Sequence, residues 1–269
     1  MKTPRRGWAF CQRLALLTVG GWVLLGGLSS AYAQPQPQLR VCIPDVDLAP
    51  LTFVDHDGQA QDLIRRAAAA QGWAVKFEPV PVRRCLAGLV SGRYDAAAPI
   101  AATLSNQATM AFPLLAGKLD ERSALSEVVG VVYRAVGSSA NWDGHGFSGL
   151  HTPVLFYAGA RSVAERLRAL QVAGDDSAKS TYQMAKMLLH GRAQLAVGVA
   201  DDVQLLRQNP EFAKRIEVLP EPFMRTQVFM AVNLQFYAEQ RDSIDALWAA
   251  IGQLRAAPEW PARAPALGH

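Results

Sequence analysis

From Leu39 onward the chain repeats one order: a short apolar run, a loop, an amphipathic helix and another apolar run. Residues 39–43 read as a strand closed by Pro44. Residues 62–71 put Leu63, Ile64 and Ala67 on one helix face and stop at Gly72. Residues 73–78 alternate as a strand, 84–91 form a second helix closed by Gly92, and 94–100 read as a third strand. Parallel strands need a crossover of about a dozen residues, and a helix supplies it. The order therefore predicts an α/β fold whose helices cover the sheet faces.

The second half repeats the logic. Residues 128–133, 154–158, 195–200, 216–219 and 227–232 read as strands. Ser162, three residues before Glu165, predicts a capping box at a helix start, and residues 181–190 form a helix ending at Gly191. Residues 243–254 close the pattern, with Ile244, Leu247, Trp248 and Ile251 on one face. Residues 45–57 are a loop, with a short strand expected at 51–54. Two such units predict two lobes of about 100 residues each, and a cleft between lobes is a standard place for a ligand.

The formal charge is +4, from 27 basic and 23 acidic residues. The excess sits in residues 1–33, which hold Lys2, Arg5, Arg6 and Arg13 and no acid; 23 basic side chains remain against 23 acidic. A neutral body lacks the basic face that nucleic acid requires, so no such partner is expected. With 50% apolar and 19% charged residues the chain can build a core, and 21 Gly and 16 Pro are too few for a collagen-like chain.

The basic start is followed by the uncharged run 14–28 and then Ser29-Ser30-Ala31-Tyr32-Ala33. That is the order of a secretory signal, and cleavage is expected after Ala33. An uncleaved anchor is the alternative, although the run is shorter than the roughly 20 residues of a span. Export to the periplasm is the expectation. Residues 34–38, Gln-Pro-Gln-Pro-Gln, read as a linker, and 263–269 as a tail.

In an oxidising compartment the two remaining cysteines, Cys42 and Cys85, allow one disulfide. Two buried thiols are the alternative. Neither cysteine has a Cys or His at ligand spacing, and the histidines show no metal pattern, so no metal is expected. No phosphate-binding glycine loop and no nucleophile elbow appears.

Several ordered motifs carry a resemblance. They are Pro50-Leu51-Thr52-Phe53 ahead of Asp57-Gly58, Asp62-Leu63, Pro81-Val82-Arg83-Arg84-Cys85-Leu86, Gly92-Arg93-Tyr94-Asp95, Thr103, His190-Gly191-Arg192-Ala193 and Leu247-Trp248. Over residues 39–255 the sequence resembles the extracytoplasmic solute-binding proteins of ABC transporters, family 3, the polar amino-acid type. The resemblance implies the type 2 periplasmic-binding-protein fold, an α/β architecture of two lobes joined by two hinge-crossing strands near 128–133 and 227–232. Lobe 1 would be residues 39–130 and 224–262, and lobe 2 residues 131–223. Such a protein closes on a small solute, without cofactor and as a monomer, and delivers it to an ABC permease.

The sequence departs from the family at the ligand anchors. Where the family pattern Thr-x-x-x-Arg supplies a guanidinium for the ligand carboxylate, Thr103 is followed four residues later by Gln107. Gln194 replaces the acid of Gly-Arg-x-Asp, and Val199 aligns with the acid that meets the ligand's amino group; Asp201 and Asp202 lie just beyond. Both anchors for a zwitterionic amino acid are altered, and the expected ligand is a small polar solute.

The candidate binding residues are Asp45 on the first loop, Phe53 for stacking, and Arg84 as a cation at a helix start. Thr103 and Gln107 follow the third strand. Tyr157 and Arg161 flank a strand-to-helix turn where backbone N–H groups favour anions, and Asp201 replaces the missing acid. Asp95 reads as structural, holding the turn before its strand. No catalytic residue is assigned. The rivals to solute delivery are an enzyme on the same fold, of the cyclohexadienyl dehydratase kind, and a ligand-sensing accessory protein.

Overall fold

The structure, a computed structural model, describes residues 37–258 and Trp260. The leader, its cleavage site and residues 263–269 lie outside the described residues.

The first half contains β1 (Gln38–Ile43), α1 (Gln59–Ala70), β2 (Ala74–Pro79), α2 (Val82–Val90), β3 (Ala96–Ala101), the short α3 (Leu104–Gln107) and a small hairpin of β4 (Leu114–Leu115) and β5 (Lys118–Leu119). β1 pairs in parallel with both β2 and β3, so α1 and α2 are the crossovers that the short spacings required. α2 stops where Gly92 takes a φ of +76°, a left-handed turn that glycine enters without steric cost.

β6 (Ser126–Ala135) leads to a second hairpin of β7 (Asn141–Trp142) and β8 (Phe147–Ser148). Then come β9 (Val154–Tyr157), α4 (Arg161–Ala169), β10 (Gly174–Ala178), α5 (Thr181–Leu189), β11 (Ala196–Val199) and α6 (Ala200–Gln208). The long β12 (Ile216–Val232), α7 (Leu234–Glu239) and α8 (Arg241–Ala256) complete the described chain.

Among the described residues the main sheet has eight strands in the order β10-β9-β11-β6-β12-β3-β1-β2. β6 and β12 are antiparallel neighbours at its centre. β12 pairs with β6 from Ile216 opposite Ala135 to Val228 opposite Ser126, and then with β3 from Val228 opposite Ala101 to Val232 opposite Ala96. These two strands belong to both halves of the sheet and form the two-stranded connection between lobes.

Each half-sheet is covered on both faces. In the first lobe α1 packs with α8 through Leu63, Ile64, Leu247 and Ile251, while Leu86 and Leu89 of α2 meet Tyr94 and Phe229 on the other face. In the second, α5 and α6 contribute Met184, Leu188 and Val203 to one cluster. Leu167 of α4 joins Trp142, Phe156 and Phe223 in the other. Burial on both faces is why these strands read as nearly continuous apolar runs. Cys42 of β1 and Cys85 of α2 are bonded, which excludes the two free thiols.

Four differences from the sequence-based expectations have physical causes. Residues 216–219 and 227–232 are one strand, because the prolines at 220 and 222 are absorbed by register shifts against β6. Residues 51–54 form no strand; the loop is instead closed by a bridge between Leu48 and Thr52. β10, Gly-Asp-Asp-Ser-Ala, carries no apolar pattern and is held by its parallel pairing with β9. The capping box at Ser162 and Glu165 does not form: α4 is capped by Ala160 without a side-chain bond, and Glu165 accepts from Ser105 Oγ at 2.5 Å.

Candidate functional site

The C-terminal ends of β1, β3, β9 and β11 face one another across the hinge strands, and a cavity of about 170 Å³ lies between them. Its first-lobe wall comes from Leu48 and Leu51 of the β1–α1 loop, Val82 and Leu86 of α2, and Ile100 of β3. Val128 and Val228 form the hinge floor. The second lobe adds Tyr157, the turn Gly159–Ser162, Thr181, Met184 and Asp202. The wall is mostly hydrocarbon, with a few polar groups placed in it, as is usual for a small-molecule site.

β3 is shaped for this position. Pro99 has no N–H to donate, so the strand's pairing with β1 ends at Ala97, and its register against β12 shifts between Phe229 and Ala231. Pro99 and Ile100 thereby face the cavity. The β1–α1 loop is braced by the buried Gln61 side chain. Its Oε1 accepts from the N–H groups of Phe53 and Gly58 at 2.9 and 2.8 Å, and its Nε2 donates to the Phe53 carbonyl.

Side chains tie the lobes together around the cavity. Arg161 Nη1 donates to Asn106 Oδ1 at 2.9 Å. Asn106 is only 3% exposed and is oriented by its neighbours: its N–H donates to Thr103 Oγ1 at 3.2 Å, and its Nδ2 donates to the Ala101 carbonyl at 2.8 Å. The Ser105–Glu165 bond lies on the same side. Arg83 at the start of α2 is paired with Asp176 of β10. Gly159 adopts a φ of +86°, and a Cβ there would lie 2.8 Å from Val82 Cγ1 in the opposite lobe. These contacts describe a closed cleft.

Four of the residues singled out from the sequence border the cavity or the spaces that adjoin it. Tyr157 and Arg161 line the cavity. Phe53 lies in an adjoining recess of about 360 Å³ together with Asp47, Tyr157, Tyr182 and Asp202, and stacks on His56 at 4.2 Å. Asp45 stands at an outer opening of about 490 Å³ with Tyr157, Arg83 and Asp176. Tyr157 thus borders all three spaces and is their common centre.

The remaining candidates are placed differently. Thr103 caps α3 and faces Ser105 Oγ at 3.1 Å. Gln107 is exposed, with its Nε2 on the Ala102 carbonyl at 2.7 Å. Arg84 is exposed on α2 and does not border the cavity; Val82 is the residue of that turn that does. Asp202, rather than Asp201, borders it. Asn106 was missed: its position three residues after Thr103 follows from the cap, and only the one-turn α3 aims it inward.

Arg161 and Asp202 are the charged side chains of the central cavity, one of each sign. Burial pushes the Tyr157 hydroxyl up to about 12, with further contributions from Asp45 and then Asp202. Tyr133, fully buried behind Gly198 and Val203, is pushed up still further by burial and by Asp202. Its hydroxyl has no hydrogen-bond partner among the described residues.

No protein-family model and no curated protein matches the sequence. Solved structures do match its fold. One is the amino-acid ABC transporter substrate-binding protein AbpA from Streptococcus pneumoniae bound to L-arginine, 15% identical, with 83% of this chain and 91% of that one covered and a TM-score of 0.63. Another is a histidine kinase sensor domain with similarity to periplasmic binding proteins, 14% identical, with coverage of 84% and 93% and a TM-score of 0.65. A third is AncCDT-1, an ancestral amino acid-binding protein and precursor of cyclohexadienyl dehydratase, 15% identical, with coverage of 83% and 92% and a TM-score of 0.62. At these identities the likeness establishes the architecture: the chain has the two-lobed α/β fold of periplasmic binding proteins.

Proposed function

We propose that this chain is an exported, monomeric solute-binding protein that encloses a small molecule between its lobes and delivers it to an ABC-type permease in the inner membrane. The observation that carries the reading is the cavity bounded by both lobes and closed by side chains reaching across it, above all Arg161 to Asn106. Such a ligand binds the closed state better than the open one, and that difference drives closure. Cleavage after Ala33 would release the mature protein to the periplasm.

The reading is non-catalytic. The titratable groups bordering the central cavity are Tyr157, Arg161 and Asp202. A tyrosine held near 12 keeps its proton at neutral pH and makes a poor general base. The expected result is a rise in Tm with a transport-relevant solute, since the ligand binds only the folded state, and no turnover of prephenate. A broad thermal-shift screen without a hit overturns solute binding, and prephenate turnover would move the chain to the dehydratase reading.

A further inference from the structure

The charges at the central cavity narrow the ligand beyond a small solute; this inference rests on the solute-binding reading above. The two charged side chains there differ in what already meets them. Asp202 stands where the cavity joins the Phe53 recess and is already engaged by a partner. Arg161 borders the central cavity and neither of the adjoining spaces. Its Nη1 donates to a neutral amide oxygen, Asn106 Oδ1, and none of the ion pairs among the described residues includes it. A guanidinium carries several N–H donors in a fixed fork. The bond to Asn106 therefore leaves its charge, and most of its donors, to the cavity. The end of α4 that carries Arg161 has the same sign: its N-cap, Ala160, makes no side-chain bond to the first-turn N–H groups.

The wall around this cation is largely hydrocarbon, from Leu48, Leu51, Val82 and Ile100 of the first lobe and Met184 of the second. A ligand that fills the cavity excludes water from the guanidinium, and the lost hydration must be offset by an opposite charge. A carboxylate supplies that charge and matches the fork with two parallel hydrogen bonds. A neutral molecule leaves the charge without a counter-ion, and an amine meets a like charge. The ammonium of a zwitterion needs an acid that is not already engaged, and Asp202 is engaged. Arg161 also links binding to closure. It belongs to the second lobe but reaches Asn106 of the first, so a ligand held on it lies against the apolar side chains of the first lobe.

We propose that the cleft takes a monocarboxylate with a compact hydrocarbon body and no amino group, its carboxylate on the remaining N–H groups of Arg161 and its body among the apolar side chains of both lobes.

Matched probes test this by calorimetry on the mature protein: 4-methylpentanoate, 4-methylpentanamide, leucine and isoamylamine, and 3-phenylpropanoate, 3-phenylpropanamide, phenylalanine and phenethylamine. Within each set the hydrocarbon body is kept and only the head changes. In at least one set the acid is expected to bind most tightly, about tenfold or more over its amide, with no binding of the amine. Arg161→Gln removes the charge and keeps a hydrogen-bonding side chain, so the ratio of acid to amide affinity should fall toward one; Arg161→Met is read in the same way should the first variant fold poorly. A part for Arg161 in closure alone weakens acid and amide by the same factor, leaves their ratio unchanged and overturns the assignment. Preference of the unmodified protein for the amide, the amino acid or the amine overturns it as well, while solute binding stands. Absence of binding by every probe overturns the carboxylate assignment, and solute binding falls with it only if the broad screen also finds nothing.

Discussion

Arg161 Nη1 and Asn106 Oδ1 meet at 2.9 Å across the cleft, one residue from each lobe. Hydrogen bonds with a charged partner are worth about 1.5–3 kcal/mol, so this one biases the lobes toward closure. In Asn106→Ala the closed form loses that contribution. The radius of gyration from solution scattering is expected to rise, and ligand affinity to fall about tenfold. An unchanged radius together with unchanged affinity would show that the bond does not control closure.

Gly159 faces Val82 so closely that a Cβ would sit 2.8 Å from Val82 Cγ1 and 3.1 Å from Val82 Cβ. Gly159→Ala adds that clash to a left-handed backbone that costs an L-residue about 1–2 kcal/mol. Loss of both stability and binding is expected. The double variant Gly159→Ala with Val82→Ala removes the 2.8 Å contact and leaves the 3.1 Å approach to Cβ and the strained backbone, so binding should recover in part while Tm stays low. Recovery of both would place the whole effect in the clash.

The Cys42–Cys85 bond closes a loop of sequence separation 43 between β1 and α2. Loop-closure entropy for that length is about 4 kcal/mol. Replacing both cysteines by alanine should lower Tm by about 10 °C, and reductant should then have no further effect. In the unmodified protein reductant alone should reproduce most of the fall.

Asp95 is 6% exposed and accepts from Arg40 three times: from its N–H at 2.8 Å, from Nε at 3.0 Å and from Nη2 at 2.6 Å. Asp95→Ala leaves a strand N–H and a guanidinium without their acceptor. The expected loss is about 2–3 kcal/mol, read as a lower urea midpoint with an unchanged slope. Asp95→Asn keeps one acceptor and should lose less. Ligand affinity should follow neither, since this pair supports β1 and β3 from outside the cleft.

Tyr157 titrates near 12 in the folded protein, above its ordinary value of 10, chiefly because it is half-buried. The unfolded chain therefore gives up this proton first as pH rises. Folding stability linked to Tyr157 is complete below pH about 10 and is lost progressively toward 12. Tyr133 acts in the same direction. Tyr157→Phe should flatten the alkaline fall in stability measured by urea unfolding across that interval. Equal alkaline slopes in the two proteins would contradict a half-buried, protonated Tyr157.

Much of the fold was legible because it rests on local chemistry. Alternating strand and helix periods with short connections admit little except parallel pairing through crossovers. The apolar face of α8, with Ile244, Leu247, Trp248 and Ile251, is fully buried as its spacing predicted. β10 was not legible, since Gly-Asp-Asp-Ser-Ala has no intrinsic preference for a strand and takes its form from β9. The continuity of β12 through Pro220 and Pro222 was hidden for the same reason: only the partner strand reveals that register shifts accommodate them.

The sequence by itself determined which segments are strands and helices, and that the acids and bases of the body balance, because side-chain period and charge are properties of the chain alone. The tertiary structure decided which side chains share the cleft. Asn106 was chosen over Gln107, Asp202 over Asp201 and Val82 over Arg84. Such choices turn on about 100° of helix rotation per residue and on closure between lobes distant in sequence, neither of which residue identity encodes locally.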